Sequence, residues 1–577
     1  MRKALLGIVC VAFVVVAPAG PARASDDDSF VALANGCTDK LLELDPEWAT
    51  QLGEHRYDGR LTDRSRKAIA RRVAFNRETL SALRAIPRDQ LGAANRIDHA
   101  ILESNLERMI FLDETIREWE WNPLYYNMGG AIYNLLARDF APLEARLHNV
   151  RARLREVPAV AVAARANLKH PPLMHTETAI LQNQGNIALI RDELSRQARS
   201  APLFWEEMRP VQDAAVEALE AYGQWLETEL LARSNGEFRL GDEKWREKLR
   251  HTLDADLSKE QILERALSDL EATQQAMYET ALPLYRDYFP SETDARKLKD
   301  VRHVCKAVLD RIAEERPTNE TIVDKARATL VEATAFCRAK GLVSVPDEPL
   351  DIIVMPEFQR GVAVAYCDSP GPLEPRGKTF YAISPTPADW DSARVASFFK
   401  EYNDYMVYDL TVHEAVPGHY LQIAHSNRFQ APTRVRAVFH SGPFVEGWAV
   451  YSERVMAEAG FGGPKVRMQQ LKMRLRVIVN VILDQKIHTE GMTEEAAMAL
   501  MMNEGFQEEG EAAGKWRRAC LTSTQLSTYF VGSAEVEDIV AAYHRKHGEK
   551  VAPRRLHDAI LSFGSPPPKY VREALGL

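Results

Sequence analysis

"DSARVASFFKEYNDYMVYDLTVHEAVPGHYLQIAHSNRF", residues 391–429, is the stretch on which the fold and the chemistry both turn. It reads as helix on either side of Pro417–Gly418. A Glu follows a His directly, at His413–Glu414, and a second His, His419, stands six residues after the first. Two side chains share a helix face when they are four residues apart. Six residues apart on a straight helix, they point about 120° away from one another. Pro417 cannot donate a backbone N–H, and its ring would clash with the His413 carbonyl. Gly418 tolerates backbone angles closed to other residues. The pair therefore predicts a bulge of about two residues within the helix, of the kind found at functional sites. Such a bulge absorbs the surplus rotation and returns His419 to the side of His413. The plainer alternative is a turn that ends the first helix at Val416.

Two imidazoles on one side of a backbone suit a divalent metal. A catalytic zinc site needs a third protein ligand and one open position for water. Downstream, "FVEGWAVYSERVMAE" reads as a new helix with Glu446, Val450 and Glu453 on one face. Glu446 is the candidate third ligand, and Glu453 the candidate carboxylate that orients an imidazole from behind. Glu414 is then free to act as general base toward water on the ion. His425 and His440 lie close enough in sequence to serve as ligands instead. The same helix also reads as an ordinary amphipathic one that buries Trp448 and Tyr451.

Outward from this centre, most of the chain is helical in pattern. In "NRIDHAILESNLERMIFLDE", Ile97, Ile101, Leu102, Leu106, Met109 and Ile110 recur at helical spacing. "SKEQILERALSDL" opens with a capping box, Ser258 and Gln261. Near residue 345 the pattern changes. "LDIIVMP", "GVAVAYCDS" and "GKTFYAISP" predict two or three short strands between Pro and Gly residues. The expected fold is mainly α, a large helical shell around a deep cleft, with a small β-sheet insert near residues 350–385. The expected organisation is an N-terminal helical region over 25–345 and a catalytic region over 346–577, together one continuous domain.

At the N-terminus, Arg2 and Lys3 precede the apolar run "ALLGIVCVAFVVVAPAG", and "ARA" then ends at Ala24. This predicts a secretory signal peptide over residues 1–24, and an exported protein that is periplasmic or extracellular. No lipid-attachment pattern surrounds Cys10, and no later stretch is apolar enough to span a bilayer. The net charge of −9 gives no basic field for nucleic acid. Cys37, Cys305, Cys337, Cys367 and Cys520 follow the leader without a CxxC pair, which argues against an all-cysteine zinc site. Cys305 and Cys337 are candidates for a disulfide between successive helices.

"HEAVPGHYLQ" together with "EGWAVYSE" resembles the pair of motifs in the bacterial family catalogued as domain of unknown function 885. "LLARDFAPLEARLHNVRARLREVPAV", "FRLGDEKWREKLRHTL", "LDQKIHTEGMTEEAA" and "TQLSTYFVG" extend the resemblance over most of the chain. Members look like zinc metallopeptidases, distantly similar in arrangement to thimet oligopeptidase and angiotensin-converting enzyme. The resemblance implies one zinc ion on His413, His419 and Glu446, with Glu414 as base. It implies that Tyr529 holds the oxyanion and that His488 stabilises the oxyanion or binds a substrate carboxylate; His488 could equally cap a helix. Many members carry a His where this chain has Tyr420, so position 420 is not a ligand here. By analogy, "GKTFYAISP" is an edge strand that pairs with an extended peptide. The implied activity is hydrolysis of short peptides. The alternatives are hydrolysis of a non-peptide amide or ester, and an exported helical binding protein with a structural metal.

Overall fold

The computed structural model describes residues 25–199, 202–355, 364–374, 377–388 and 390–577. The expected signal peptide, residues 1–24, lies outside them. Among the described residues the protein is mainly α-helical, with one small sheet. The capping box at Ser258 forms as its spacing predicts. The Ser258 hydroxyl accepts from the Gln261 amide, the Gln261 side chain accepts from the Ser258 amide, and a helix runs over Lys259–Tyr288.

Six helices position the site: α1 (Asp404–Glu414), α2 (His419–Arg428), α3 (Gly442–Glu458), α4 (Gly463–Glu490), α5 (Glu509–Leu521) and α6 (Ser527–His547). α4 is the pillar. It is buried along most of its length, and its inward face includes polar residues such as Lys472, Arg476, Asp484 and His488. Burial of that kind demands partners. Buried Glu401 supplies one, pairing with both Lys472 and Arg476.

The cores cross the sequence change near residue 345. One joins Trp245, Met277 and Val308 to Ile478, Ile482 and Phe530 of the C-terminal half. Another joins Phe30, Leu42 and Ile101 to Val435, Val438 and Phe439. A fully buried ion pair ties the same two regions, with Arg436 Nε 2.5 Å from Asp98 Oδ1. The helices that precede the sheet thus pack on the segment leading into α3.

The sheet comprises β1 (Leu350–Val354), β2 (Ala365–Asp368) and β3 (Thr379–Ile383), in the order β1-β3-β2. β3 runs parallel to β1, with Leu350 opposite Thr379, and antiparallel to β2, with Ala365 opposite Ile383. β3 is the central strand, so the expectation that "GKTFYAISP" offers a free edge is overturned. Both of its sides are hydrogen-bonded to neighbours, and among the described residues β1 and β2 are the outer strands, of which β2 packs against α1.

The proposed Cys305–Cys337 bridge is also overturned. Cys305 points into the core around α4, and Cys337 into a separate core with Trp448 and Tyr543. Both are free thiols, and burial pushes them up to about 12 and about 11 respectively. Among the described residues no helix is long and apolar enough to cross a membrane.

Candidate metal centre

α1 starts at Asn403, whose side chain accepts from the amides of Tyr405 and Met406. It stops at Glu414, because the next residues leave helical geometry. Ala415 has φ −122° and ψ −93°, the Val416–Pro417 bond is cis, and Gly418 has ψ −130°. A new helix, α2, begins at His419 itself. The expected in-helix bulge is therefore replaced by a full break. A bulge would have kept one continuous helix, whereas the break leaves His419 on the first turn of α2.

The break is tightly built. The Gly418 amide donates to the Val412 carbonyl over 2.9 Å. A Cβ on Gly418 would lie 1.9 Å from the His413 carbonyl oxygen, so only glycine fits. The Trp448 indole donates to the Pro417 carbonyl over 2.8 Å and pins the break to α3. Trp448 is indeed a core residue, and it also holds the loop between the two histidines.

α3 brings Glu446 to the same point. Its N-cap is Ser441, which accepts from the Phe444 amide, and Glu446 lies in the first turns. The Glu446 Oε2 atom is 3.4 Å from His419 Nε2 and 3.7 Å from His413 Nε2. The imidazoles stand edge to face, with centroids 4.6 Å apart. One ligand atom from each of the three residues lies within 4.8 Å of the others. Bonds of about 2.0–2.2 Å in a tetrahedral site separate ligand atoms by roughly 3.3 Å, so the cluster fits a zinc-sized ion. Among the described residues Glu446 Oε2 is buried and meets only the two imidazoles, at ion-pair distance without a formed hydrogen bond, as an atom that shares a cation with them would. His425 and His440 are outside the cluster. The His425 Nε2 contacts the Ser344 carbonyl at 2.8 Å. Tyr420 donates to the Glu348 carbonyl. A metal held by these three residues would keep a position open for water or substrate.

The surroundings tune these groups. Glu453, two helical turns past Glu446, sits 2.6 Å from His413 Nδ1. That bond commits the Nδ1 proton to Glu453 and presents the Nε2 lone pair to an ion. Burial opposes charge on His413, but Glu446 and Glu453 beside it hold its pKa well above the ordinary imidazole value. Burial likewise opposes charge on Glu446, yet the two imidazoles hold its carboxyl well below the usual range. Asp409, one turn before His413, is pushed up by burial and then by the charge of Glu453. Its place four residues before His413 is a signal the sequence offers.

Glu414 is buried, and β2 packs against the helix it ends. Burial raises its pKa, His419 and His413 lower it, and Glu446 raises it, with a net upward shift. That moves a carboxylate toward the pKa a general base needs near neutrality.

The other two candidates part company. α3 and α6 cross at a pair of glycines, where a Cβ on Gly447 would lie 2.2 Å from the Gly532 carbonyl carbon. Gly447 adjoins Glu446, and Tyr529 is one turn before Gly532. The charge of Glu446 acts on both Tyr529 and Arg518. Burial and then the charge of Glu446 raise the Tyr529 phenol, with Arg518 and Gln525 opposing. The structure does not bring His488 to the cluster. Its Nε2 faces the Ala519 and Thr522 carbonyls at 3.2 and 2.8 Å, at the C-terminal end of α5. Arg518, which donates to the Tyr529 hydroxyl, had no sequence signal, because a turn between two helices brings the two together.

Residues 46–575 match the family described as "Bacterial protein of unknown function (DUF885)". A solved structure of a proposed lipoprotein of unknown function from Shewanella oneidensis is 32% identical with TM-score 0.80, covering 95% of this chain and 100% of that one. A proposed lipoprotein from Colwellia psychrerythraea is 17% identical with TM-score 0.79, covering 96% and 99% respectively. Metallocarboxypeptidase 1 of Trypanosoma cruzi is 13% identical with TM-score 0.24, covering 70% and 95%, a likeness too slight to bear on fold or function. No curated protein matches the chain.

Proposed function

The chain belongs to the DUF885 family of bacterial proteins, and from that premise and the geometry of its cluster we propose that it is an exported, zinc-dependent hydrolase of short peptides. The observation that carries the reading is the convergence of His413, His419 and Glu446 on one point, with a buried Glu446 oxygen that faces only the two imidazoles, beside a separate buried carboxylate at Glu414. Three ligands plus a free carboxylate is the composition of a hydrolytic centre; a structural site takes four protein ligands.

A bound zinc ion would supply Lewis acidity toward a carbonyl oxygen and toward water. The chain's own residues do the rest. Glu414 takes the proton of the attacking water and returns it to the leaving amine. Tyr529 donates its hydroxyl proton to the oxygen on which charge develops. Glu453 keeps His413 in the tautomer that ligates. β2, one of the two outer strands and the one that packs on the helix ending at Glu414, would take an extended peptide as an added strand. This favours a peptide over a compact amide or ester. The signal-like leader and the relatives described as lipoproteins support export.

The test is Glu414→Gln, with metal content and peptide hydrolysis measured on one preparation. The variant is expected to keep one equivalent of metal and lose hydrolysis by roughly 100-fold or more. Retained hydrolysis would remove Glu414 from the mechanism.

A further inference from the structure

The turn that joins α5 to α6 is built with unusual care. Thr524 sits in it at φ 65°, the left-handed region, which β-branched residues avoid. Strain of this kind persists only where the surroundings over-determine it, and it gathers at functional sites. Here the surroundings do so. Asp484 of α4 accepts from the Thr524 amide at 2.8 Å, the Ser527 amide at 3.1 Å and the Ser527 hydroxyl at 2.7 Å. His488, one turn further along α4, holds the Ala519 and Thr522 carbonyls. From the other side, Lys248 donates to the Ser523 hydroxyl at 2.8 Å, and the Thr252 and Thr524 hydroxyls are 2.8 Å apart.

The clamped turn sets three side chains in a ring. Arg518 Nη2 donates to Gln525 Oε1 at 2.9 Å and to Tyr529 Oη at 3.0 Å. Gln525 Nε2 donates to the same Tyr529 oxygen at 3.4 Å. A phenol oxygen has two acceptor sites and one proton to give. Both acceptor sites are occupied, so the proton must leave the ring in another direction. The Gly447–Gly532 crossing puts this first turn of α6 against the turn of α3 that carries Glu446. Arg518 has no carboxylate in ion-pair contact among the described residues, so its guanidinium is spent on the phenol and the amide.

We propose that Arg518 and Gln525, held by the strained Thr524 turn, are positioning residues that aim the Tyr529 hydroxyl proton at the oxyanion. His488 and Asp484 then serve the reaction at one remove, as the clamp on that turn. The inference rests on the hydrolase reading of the metal centre.

Kinetics and a spectrum test it. Arg518→Met, Arg518→Lys, Tyr529→Phe and the Arg518→Met/Tyr529→Phe double variant are compared on a peptide that the native protein cleaves. Loss of the aim of a hydroxyl whose bond to the oxyanion forms only at the transition state should lower kcat roughly ten- to hundredfold with KM unchanged. Arg518→Lys should recover part of that loss. In the Tyr529→Phe background, Arg518→Met should add less than about twofold, because the hydroxyl it aims is gone. In metal-free protein carrying tyrosine labelled with 13C at Cζ, the resonance that Tyr529→Phe removes should shift in Arg518→Met. Full additivity, a rise in KM at unchanged kcat, or an unmoved resonance would each overturn the inference. The spectrum needs no turnover, so it tests the Arg518–Tyr529 contact by itself: an unmoved resonance overturns the inference on its own, whereas a protein that binds metal but cleaves no peptide sinks the hydrolase reading instead.

Discussion

Gly418→Ala should separate the two histidines without unfolding the protein. The added Cβ would stand 1.9 Å from the His413 carbonyl oxygen and 2.3 Å from that of Val412, whereas real Cβ contacts do not fall below 3.0 Å. Both obstacles are backbone atoms of the last turn of α1, which cannot swing aside as a side chain does. The start of α2 must then retreat from α1 by about 1 Å or more, at roughly 1–3 kcal/mol of overpacking. His419 is the very next residue and moves with it. Metal–ligand bonds tolerate only about 0.2 Å, so one of three ligands is lost. Apparent zinc affinity should fall by more than the roughly 10–100-fold that a supporting partner contributes. Competition against a chromophoric chelator measures it, and far-UV circular dichroism with thermal melting checks the fold. Gly514→Ala is the control. Its Cβ meets nothing within 4 Å on α5, so binding should be unchanged and stability should rise by about 0.5–1 kcal/mol. Native zinc affinity in Gly418→Ala would refute the claim that this break sets the ligand geometry.

Further outcomes follow from individual contacts. Glu453→Gln should weaken metal binding about 10–100-fold while the fold is retained; unchanged affinity in the same competition assay would mean that the 2.6 Å contact with His413 does not orient the ring. Asp98→Ala leaves Arg436 buried and unpaired and should cost about 3–5 kcal/mol in urea unfolding, with a loss under about 1 kcal/mol counting against the link. Glu535 has its carboxyl raised to about 8, by burial first, with Lys569 opposing and Asp256, Asp538 and Asp254 adding. A raised folded-state pKa gives stability that is complete below the ordinary value of 4.5 and is lost as pH rises through 8. Glu535→Gln should therefore melt above the native protein at pH 9 and converge with it toward pH 5. A melting difference independent of pH would contradict this.

How much of this was legible in the sequence depends on the range of the interaction. The capping box at Ser258 and the shared face of Glu446 and Glu453 are local, set by helical spacing, and the structure shows each where spacing puts it. The Pro-Gly pair announced a distortion between the histidines but not its kind. Whether a helix bulges or breaks depends on what holds the loop, and here the Trp448 indole does so from another helix. Strand order failed for the same reason, because three short segments fix their own existence but not which one lies in the middle. Cys305 and Cys337 have plausible spacing, yet their helices turn them into different cores. His488 faces the end of α5 rather than the cluster because a turn with Thr524 at positive φ, invisible to periodicity, brings the Ala519 and Thr522 carbonyls to it. The glycines of "EGW" and "FVG" acquire a reason only once α3 and α6 are seen to cross there.

The central claim is a single ion held by two imidazoles and one carboxylate, and the most direct measurement is metal stoichiometry with X-ray absorption at the metal edge on the purified protein. The account predicts about one zinc per chain, with two nitrogen ligands near 2.0 Å and oxygen ligands near 2.0–2.2 Å, and loss of that spectrum in His413→Ala. A protein that takes up no divalent ion, or one whose spectrum shows sulfur ligation and survives His413→Ala, would contradict it.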